Sequence, residues 1–313
     1  MNRFSASVTA LALTWMCARG VAGGATAAPP STPLPAPTPA AAAGSARGAP
    51  VVLSPLPAAR TVDAILADAV AAIGGTAALG RHRSLRTKME ITFKGLGITG
   101  TAAHTGSVGD KALTVTEIPS LASTREGSDG TRFWSEDPIN GLRMLDGAEA
   151  EQARIEGSWN PELRMKELFE KIEAKNERTG DTGYLECLLL TPKLAPAMTN
   201  CFDPKTHLLA MQKGVRAGPQ GDMPFTARLS DWRKVDDIKM AYATEMQVGP
   251  LSFTGRVTSV EMDVPVDAHV FEVPRVAGSQ GARAVGGSAA TPGRPRGKPD
   301  GKPGGKPDGT AKR

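Results

Sequence analysis

Residues 202–209 read Phe202-Asp203-Pro204-Lys205-Thr206-His207-Leu208-Leu209, and residues 229–240 read Leu229-Ser230-Asp231-Trp232-Arg233-Lys234-Val235-Asp236-Asp237-Ile238-Lys239-Met240. In both stretches, apolar and strand-favouring residues flank a short polar turn. This is the pattern of two antiparallel strands joined by a tight connection. The sequence therefore predicts a meander of antiparallel sheet over Glu186–Val248.

The strand pattern extends to both sides of this region. From Ser84 to Lys94, apolar residues alternate with polar ones, which predicts a strand with one buried face. Further strands are predicted at 98–105, 111–118, 120–126, 131–135, 172–178, 184–191, 199–202, 208–216, 225–233, 239–247 and 251–262. Glycine and proline pairs separate them at short intervals, which favours one large antiparallel sheet.

Helices are predicted at two places. Thr61–Ile73 has apolar residues at helical spacing, a threonine that can cap its start, and Gly74-Gly75 at its end. Gly147–Trp159 has helical composition, and Asn160-Pro161-Glu162 then supplies the features of a second helix start. The predicted fold class is α+β, with a curved antiparallel β-sheet (an unclosed barrel) covered by helices. A closed barrel is the alternative.

The N-terminus has the parts of a secretory signal, predicted over residues 1–27. Arg3 is followed by the mostly apolar Phe4–Met16 and by Ala25-Thr26-Ala27, a small-residue cleavage site. A membrane anchor is the alternative, but a spanning helix needs about 20 apolar residues. Lipid attachment at Cys17 is a second alternative, although the residues before it are bulky. We expect export with cleavage, to the periplasm or beyond the cell.

Two segments of low complexity flank the predicted domain, 60–276. Residues 28–59 are rich in proline and alanine and are predicted to be a disordered linker. Residues 277–313 are predicted to be a disordered tail with a Gly-Lys-Pro repeat. Within Pro292–Arg313, seven basic and two acidic residues give a net charge of +5, which equals that of the whole chain. The domain is therefore near neutral, which argues against nucleic-acid binding. The tail is either simply solvated or in weak contact with anionic surfaces.

Two cysteines remain after the predicted cleavage. Cys187 and Cys201 are equally distant from Leu194, the middle of a predicted turn. In a hairpin they face each other, and an oxidising compartment favours a disulfide between them. Two reduced, buried thiols are the alternative.

The residues that usually carry enzyme chemistry form no recognisable constellation. His82, His104, His207 and His269 are scattered and lack metal-ligand spacing, and no nucleophile or phosphate-loop motif is present. The acidic pairs Glu136-Asp137 and Asp236-Asp237 lie in polar turns. We expect no enzymatic activity, no cofactor and no metal site.

An apolar cavity is the remaining candidate site. A curved sheet with covering helices encloses more volume than the few aromatic residues fill, so a ligand-binding cavity is predicted. Its candidate lining residues lie on the presumed inner faces of the strands and helices: Met89, Ile91, Phe93, Trp134, Leu145, Trp159, Leu163, Phe169 and Phe253.

Five motifs resemble one envelope family. They are Ile65-Leu66-Ala67-Asp68-Ala69-Val70 with Gly74-Gly75, Arg125-Glu126-Gly127-Ser128-Asp129-Gly130 with Trp134, Cys201–Leu209, Asp231–Asp237, and Val260–Asp267 with Phe271-Glu272-Val273-Pro274. Together they resemble the periplasmic outer-membrane lipoprotein-sorting (LolA-like) superfamily, in a divergent form. Two features depart from the pattern. His207 stands where the family usually has glycine, and the basic tail is extra.

The resemblance implies an unclosed barrel lidded by helices and a role in binding lipid. The expected function is a non-enzymatic periplasmic binder or carrier of acyl chains from lipoprotein or lipid. The alternative is an envelope sensor or adaptor that acts through protein–protein contacts. The implied partners are an acyl chain and a membrane protein of the envelope.

The predicted domain boundaries can be tested by limited proteolysis. We expect a protease to remove both flanking segments and to leave one resistant core close to Arg60–Val276, because low-complexity chain is cleaved before packed chain. Mass spectrometry of the fragments measures this. Intact ends, or a core cut into two resistant halves, would contradict the prediction.

Overall fold

The computed structural model describes residues 55–119, 122–219 and 221–274. The predicted signal at 1–27, all of the linker at 28–59 except its last five residues, and the tail at 277–313 lie outside the described residues.

The described residues form strands for about half of their length. The α-helices are α1 (Val62–Ala72), α2 (Gly75–Leu79), α3 (Gly147–Glu156) and α4 (Met165–Leu168), with 3-10 turns at Pro161–Leu163 and Ala268–Phe271. The strands are β1 (Ser84–Phe93), β2 (Ile98–Ser107), β3 (Lys111–Ile118), β4 (Ala122–Asp129), β5 (Phe133–Asp137), β6 (Gly141–Met144), β7 (Lys171–Thr179), β8 (Gly183–Thr191), β9 (Met198–Phe202), β10 (Leu209–Arg216), β11 (Met223–Val235), β12 (Ile238–Val248) and β13 (Leu251–Met262).

All thirteen strands belong to one antiparallel sheet. Their order is β6-β5-β4-β3-β2-β1-β13-β12-β11-β10-β9-β8-β7, so the first and last strands of the chain pair at its centre. The two edges, β6 and β7, are not paired with each other, and the sheet stays open. This confirms the predicted curved antiparallel sheet with covering helices, rather than a closed barrel.

The chain passes from one edge of the sheet to the other through its helical middle. We call residues 147–168, which contain α3, the turn at Pro161–Leu163 and α4, the crossing segment. Its α3 contacts β5 near one edge, whereas α1 contacts both β7 at the other edge and the Pro161–Leu163 turn. The helices therefore share one face of the sheet, and the space between them and the strands is where a ligand site can form.

Local sequence signals account for most of the element boundaries. Thr61 caps α1, and its side chain accepts a hydrogen bond from the backbone N–H of Ala64. Asn160 was expected to cap a helix but instead adopts a left-handed backbone with φ of 57°. Its buried side chain donates to the carbonyl of Leu79, so a contact with α2 replaces the local cap. The short strand β6 was not predicted.

The turn at 203–208 sets the backbone conformation of His207. The Asp203 carboxylate accepts hydrogen bonds from the backbone N–H groups of Lys205 and Thr206, which fixes the turn. His207 follows with φ of 58°, in the left-handed region that glycine adopts most easily. Glycine adopts this conformation without a side-chain clash, so His207 carries a backbone cost here.

The two cysteines form the predicted disulfide. Cys187 in β8 and Cys201 in β9 are direct cross-strand partners, with their Cα atoms 4.0 Å apart, and their sulfur atoms are bonded. Both side chains are fully buried, together with Leu185 and Met211.

Breaking this bond should lower stability without changing the fold. Its sequence separation is 14, and a loop of this size is worth about 3 kcal/mol in the chain-entropy model. We expect the Cys187→Ala/Cys201→Ala double variant to lose about that much unfolding free energy in a denaturant titration. Thiol labelling of the unfolded, unreduced protein is the direct control, and two reactive thiols would contradict the disulfide.

Candidate functional site

An apolar cavity of about 60 Å³ lies between the helices and the sheet. Helix α1, the crossing segment and strands β9–β12 surround it. Its lining residues are Leu66, Ala69, Val70, Ile73, Ile155, Pro161, Glu162, Met165, Phe169, Met198, Asn200, Phe202, His207, Leu209, Gln212, Trp232 and Lys239. Most of these side chains are hydrocarbon or aromatic, so the cavity favours an apolar ligand.

Helix α1 forms the roof of the cavity and is attached at both ends. At its start, Arg60 pairs with Asp68 of the same helix and with the buried Glu186 of β8. At its end, the carbonyl of Ile73 accepts a hydrogen bond of 2.8 Å from the backbone N–H of Lys239 at the start of β12. Helix α1 therefore extends across the sheet from β8 to β12.

A larger groove of about 590 Å³ adjoins the cavity between α1 and residues 162–167. Four residues line both spaces: Leu66, Val70, Glu162 and Met165. These side chains are therefore the partition between groove and cavity. An ion pair of 2.6 Å joins Asp63 to Lys166 across the two groove-lining elements, and both side chains are mostly exposed. Exposed pairs of this kind contribute about 0–1 kcal/mol, so the apolar packing of Met165 against α1 is the main contact across the seam.

Stronger interactions hold the crossing segment to the strands and to the turn after β2. Asp110, in the turn after β2, accepts hydrogen bonds from the backbone N–H of Trp159 and from Arg164. Glu156 of α3 forms a two-bond ion pair with Arg216 of β10, at 2.9 and 2.8 Å, and each side chain is 6% exposed. Breaking a buried, fully paired interaction of this kind costs several kcal/mol, which keeps α3 in place.

Two of the nine residues predicted to line a cavity do lie at these two spaces. Phe169 lines the cavity, and Leu163 lines the groove. The other seven line neither. Met89, Ile91, Phe93 and Phe253 pack together in a separate close-packed cluster, in which the rings of Phe93 and Phe253 are 5.5 Å apart.

The three remaining residues have other surroundings. Trp134 is fully buried, packs on Gly127, and donates from its indole N–H to the carbonyl of Phe271. Trp159 belongs to the cluster beneath α2, and Leu145 is half-buried just after β6. Alternation along a strand identifies its buried face but not which part of that face stays open. Here much of the inner face is filled by its own side chains.

Most of the cavity-lining residues are not among the nine predicted from the sequence. Leu66, Ala69 and Ile73 belong to the apolar stripe that predicts the first helix, but the pattern did not assign them to a site. On the sheet side, Met198, Phe202, Leu209 and Trp232 were also not assigned. The signal that could have found α1 is its position, since a capped amphipathic helix ahead of a curved sheet must bury its apolar stripe against that sheet.

A histidine bridge supports the end of α1. His82 is buried, and its ring nitrogens lie 2.7 Å from the carboxylates of Asp263 and Asp237. Both nitrogens donate only when the ring is protonated. Burial lowers the pKa of His82, but the hydrogen bonds with Asp263 and Asp237 outweigh it and raise that pKa above its usual value of 6.5. Arg81 also pairs with Asp237. Asp237 in turn touches Gly74, where a Cβ would lie 2.6 Å from the Asp237 carbonyl oxygen.

The pKa of a second histidine, His104, is shifted in the opposite direction. His104 is enclosed beside the crossing segment, and one ring nitrogen lies 3.0 Å from the hydroxyl oxygen of Thr114. Burial lowers the pKa of His104 to about 4, so the ring is neutral at physiological pH.

Two general features of the described residues bear on the site. One cluster of metal-ligand side chains occurs there, Glu177 with Cys187 and Cys201, but the two sulfur atoms are bonded to each other. Helices that combine the length and hydropathy needed to cross a membrane are absent from residues 55–119, 122–219 and 221–274.

Comparison with known proteins finds similarity at the level of solved structures. No family model matches the chain, and no curated protein matches it significantly. A LolA superfamily protein from Nitrosomonas europaea aligns over 68% of this chain and 98% of its own, at 11% identity and a TM-score of 0.47.

Two further structures match in the same way. A DUF1329 family protein from Desulfovibrio piger aligns over 67% of this chain and 97% of its own, at 12% identity and a TM-score of 0.44. An outer-membrane lipoprotein-sorting protein domain from Vibrio parahaemolyticus aligns over 60% and 89%, at 10% identity and a TM-score of 0.38. The matches include the superfamily that the sequence motifs resemble. At these identities and scores, no residue role is carried over to this chain.

The histidine bridge should make stability depend on pH. Because the pKa of His82 is raised in the folded state, its stabilising contribution is complete below the unfolded pKa near 6.5 and is lost as pH rises through the folded pKa. We expect wild type to exceed His82→Gln in unfolding free energy at pH 6, and the difference to shrink towards pH 9.

Denaturant titrations of both proteins across this pH range measure the effect. His269→Gln is a matched control, because His269 is exposed and its ring pairs with the nearby Glu272, which is also exposed. A constant difference between wild type and His82→Gln at all pH values would contradict the charged bridge.

Proposed function

We propose that this chain is an exported, non-enzymatic binder or carrier of acyl chains in the cell envelope. The observation that carries the proposal is the apolar cavity beneath α1, together with the wider groove that adjoins it through four shared residues. An acyl chain is long, narrow and apolar. Its hydrocarbon matches the leucine, valine, isoleucine, methionine and phenylalanine side chains that line the cavity.

Binding of a long chain requires the roof to move. Small-molecule sites usually enclose about 300–1,000 Å³, whereas the cavity has about 60 Å³. The boundary between cavity and groove is the seam between α1 and residues 162–167, where the ion pair of Asp63 with Lys166 is exposed. Separation along this seam would join the cavity to the groove without disturbing the buried Glu156–Arg216 pair.

The chemistry of the lining supports binding rather than catalysis. Among the described residues that line the cavity, there is no serine, threonine or cysteine to act as a nucleophile. The polar groups there are the amides of Asn200 and Gln212, together with His207, Glu162 and Lys239. The amide pair can orient a ligand, and this supports binding.

The cellular setting follows from the ends of the sequence. The predicted signal supports export to the periplasm, where lipoprotein or lipid would supply the acyl chain and an envelope membrane protein would deliver or accept it. The basic tail would add weak attraction to anionic surfaces. An adaptor that works through protein contacts needs a contiguous exposed apolar patch. The large exposed apolar side chains of the described residues, Leu96, Ile139, Met144, Leu194 and Val270, are distributed over separate turns and one short edge strand, which favours the carrier.

Filling the cavity should block binding. Ala69 is 6% exposed and faces the cavity from α1, so Ala69→Leu adds three carbon atoms to the free space. We expect affinity for a fluorescent hexadecanoyl probe to fall at least tenfold, while the unfolding free energy changes by less than about 2 kcal/mol.

Ala64→Leu is the matched control, since Ala64 lies on the same helix and lines neither the cavity nor the groove. It should keep wild-type affinity. Lipid that copurifies with the native protein can be identified in parallel by mass spectrometry. Absence of saturable probe binding to the wild type would refute the proposed function.

A further inference from the structure

The sheet side of the cavity contains a buried amide group with an unused hydrogen-bonding atom. Gln212 in β10 and Asn200 in β9 are cross-strand neighbours, and both line the cavity. The Gln212 side-chain nitrogen donates to the Asn200 side-chain oxygen at 3.1 Å. Gln212 is 2% exposed, and its side-chain oxygen is buried without a hydrogen-bond partner among the described residues.

Such an atom is unusual inside a folded protein. Most buried polar side-chain atoms are hydrogen-bonded, because leaving one unpaired loses its interaction with water and gains nothing in return. The other lining groups of this part of the cavity, Met198, Phe202 and Leu209, cannot donate a hydrogen bond. A donor group on a ligand in the cavity would satisfy the Gln212 oxygen.

The amide pair is held on a rigid part of the sheet. Asn200 precedes Cys201, which is bonded to Cys187 of β8. Gln212 follows Met211, whose side chain packs against these two cysteines on the opposite face. A polar group fixed in this way recognises a ligand without a large ordering cost. This favours a binding role over an accidental defect in packing.

We propose that the cavity prefers acyl chains that carry a hydroxyl group, which hydrogen-bonds to Gln212. The inference rests on the proposed function, because it names the chemical class of the acyl ligand. A hydroxyl both donates and accepts, so it pairs with the amide whichever way the oxygen and nitrogen of Gln212 are oriented. The surrounding apolar lining holds the rest of the chain, and the amide selects against chains that leave it unpaired.

Competition binding with defined fatty acids tests the preference. The probes are octadecanoic acid and its 3-hydroxy and 12-hydroxy derivatives, which place the hydroxyl near the carboxylate or in mid-chain. On the wild-type protein we expect at least one hydroxylated acid to bind about fivefold more tightly than the plain acid, which corresponds to one net hydrogen bond. The position that gains affinity reports how deeply the chain is seated.

Variants assign the preference to the amide. Gln212→Met keeps the length of the side chain and removes its polar atoms, so the affinity ratio should fall to about one while the plain acid binds at least as tightly. Gln247→Met is the matched control, because Gln247 is exposed on β12 and outside the cavity. It should keep the wild-type ratio. Thermal unfolding of each variant confirms that the fold is retained.

The outcomes distinguish failure of the preference for hydroxylated chains from failure of the proposed carrier function. Equal binding of plain and hydroxylated acids to the wild type would overturn the preference, assign the partner of Gln212 to water, and leave the carrier function intact. A preference that persists in Gln212→Met would also overturn it, because another group would be responsible. Failure of all three acids to bind would refute both the preference and the proposed function. The wild-type comparison needs no variant to fold.

Discussion

The pairing of β1 with β13 is the constraint on which the rest of the structure depends. Their register runs from Leu85 opposite Met262 to Phe93 opposite Phe253. This pairing joins strands β1–β6 and strands β7–β13 into one sheet. The free edges are then β6 and β7, which are consecutive along the chain. The residues that connect them have to cross from one edge of the sheet to the other. The helices of this crossing segment, with α1, create the space that becomes the cavity.

The interactions that hold the helices differ greatly in strength, and this has consequences for opening. Helix α3 is fixed by the buried Glu156–Arg216 pair, and the residues after it are fixed by Asp110. By contrast, the seam between α1 and residues 162–167 is closed by side-chain packing and by the exposed pair of Asp63 with Lys166. Movement is therefore expected at the seam. The Glu156–Arg216 pair and the hydrogen bonds of Asp110 keep the crossing segment against the sheet.

The two faces of β8–β10 differ, since one contains the disulfide and the other lines the cavity. On one face, the disulfide and its apolar neighbours form a small fully buried cluster. On the other, Asn200 and Gln212 present a polar group to a mostly apolar cavity. A strand places successive side chains on opposite faces, so rigidity on one face positions the amides on the other. Discrimination between apolar ligands needs a feature of this kind, since hydrocarbon contact alone distinguishes similar chains poorly.

The sequence by itself determined the kinds of elements and much of their order. Alternation along β1, the capped start of α1 and the turn at Asp203 are local signals, and they gave the strands, the helix and the hairpin of the two cysteines. Only the tertiary structure decided the site. Strand alternation placed Phe93 and Phe253 on a buried face, but that part of the face is filled by its own side chains. The cavity lies instead where α1, the crossing segment and β9–β12 meet, residues far apart in the chain. Their distance depends on the curvature of the whole sheet, and no local pattern encodes that curvature.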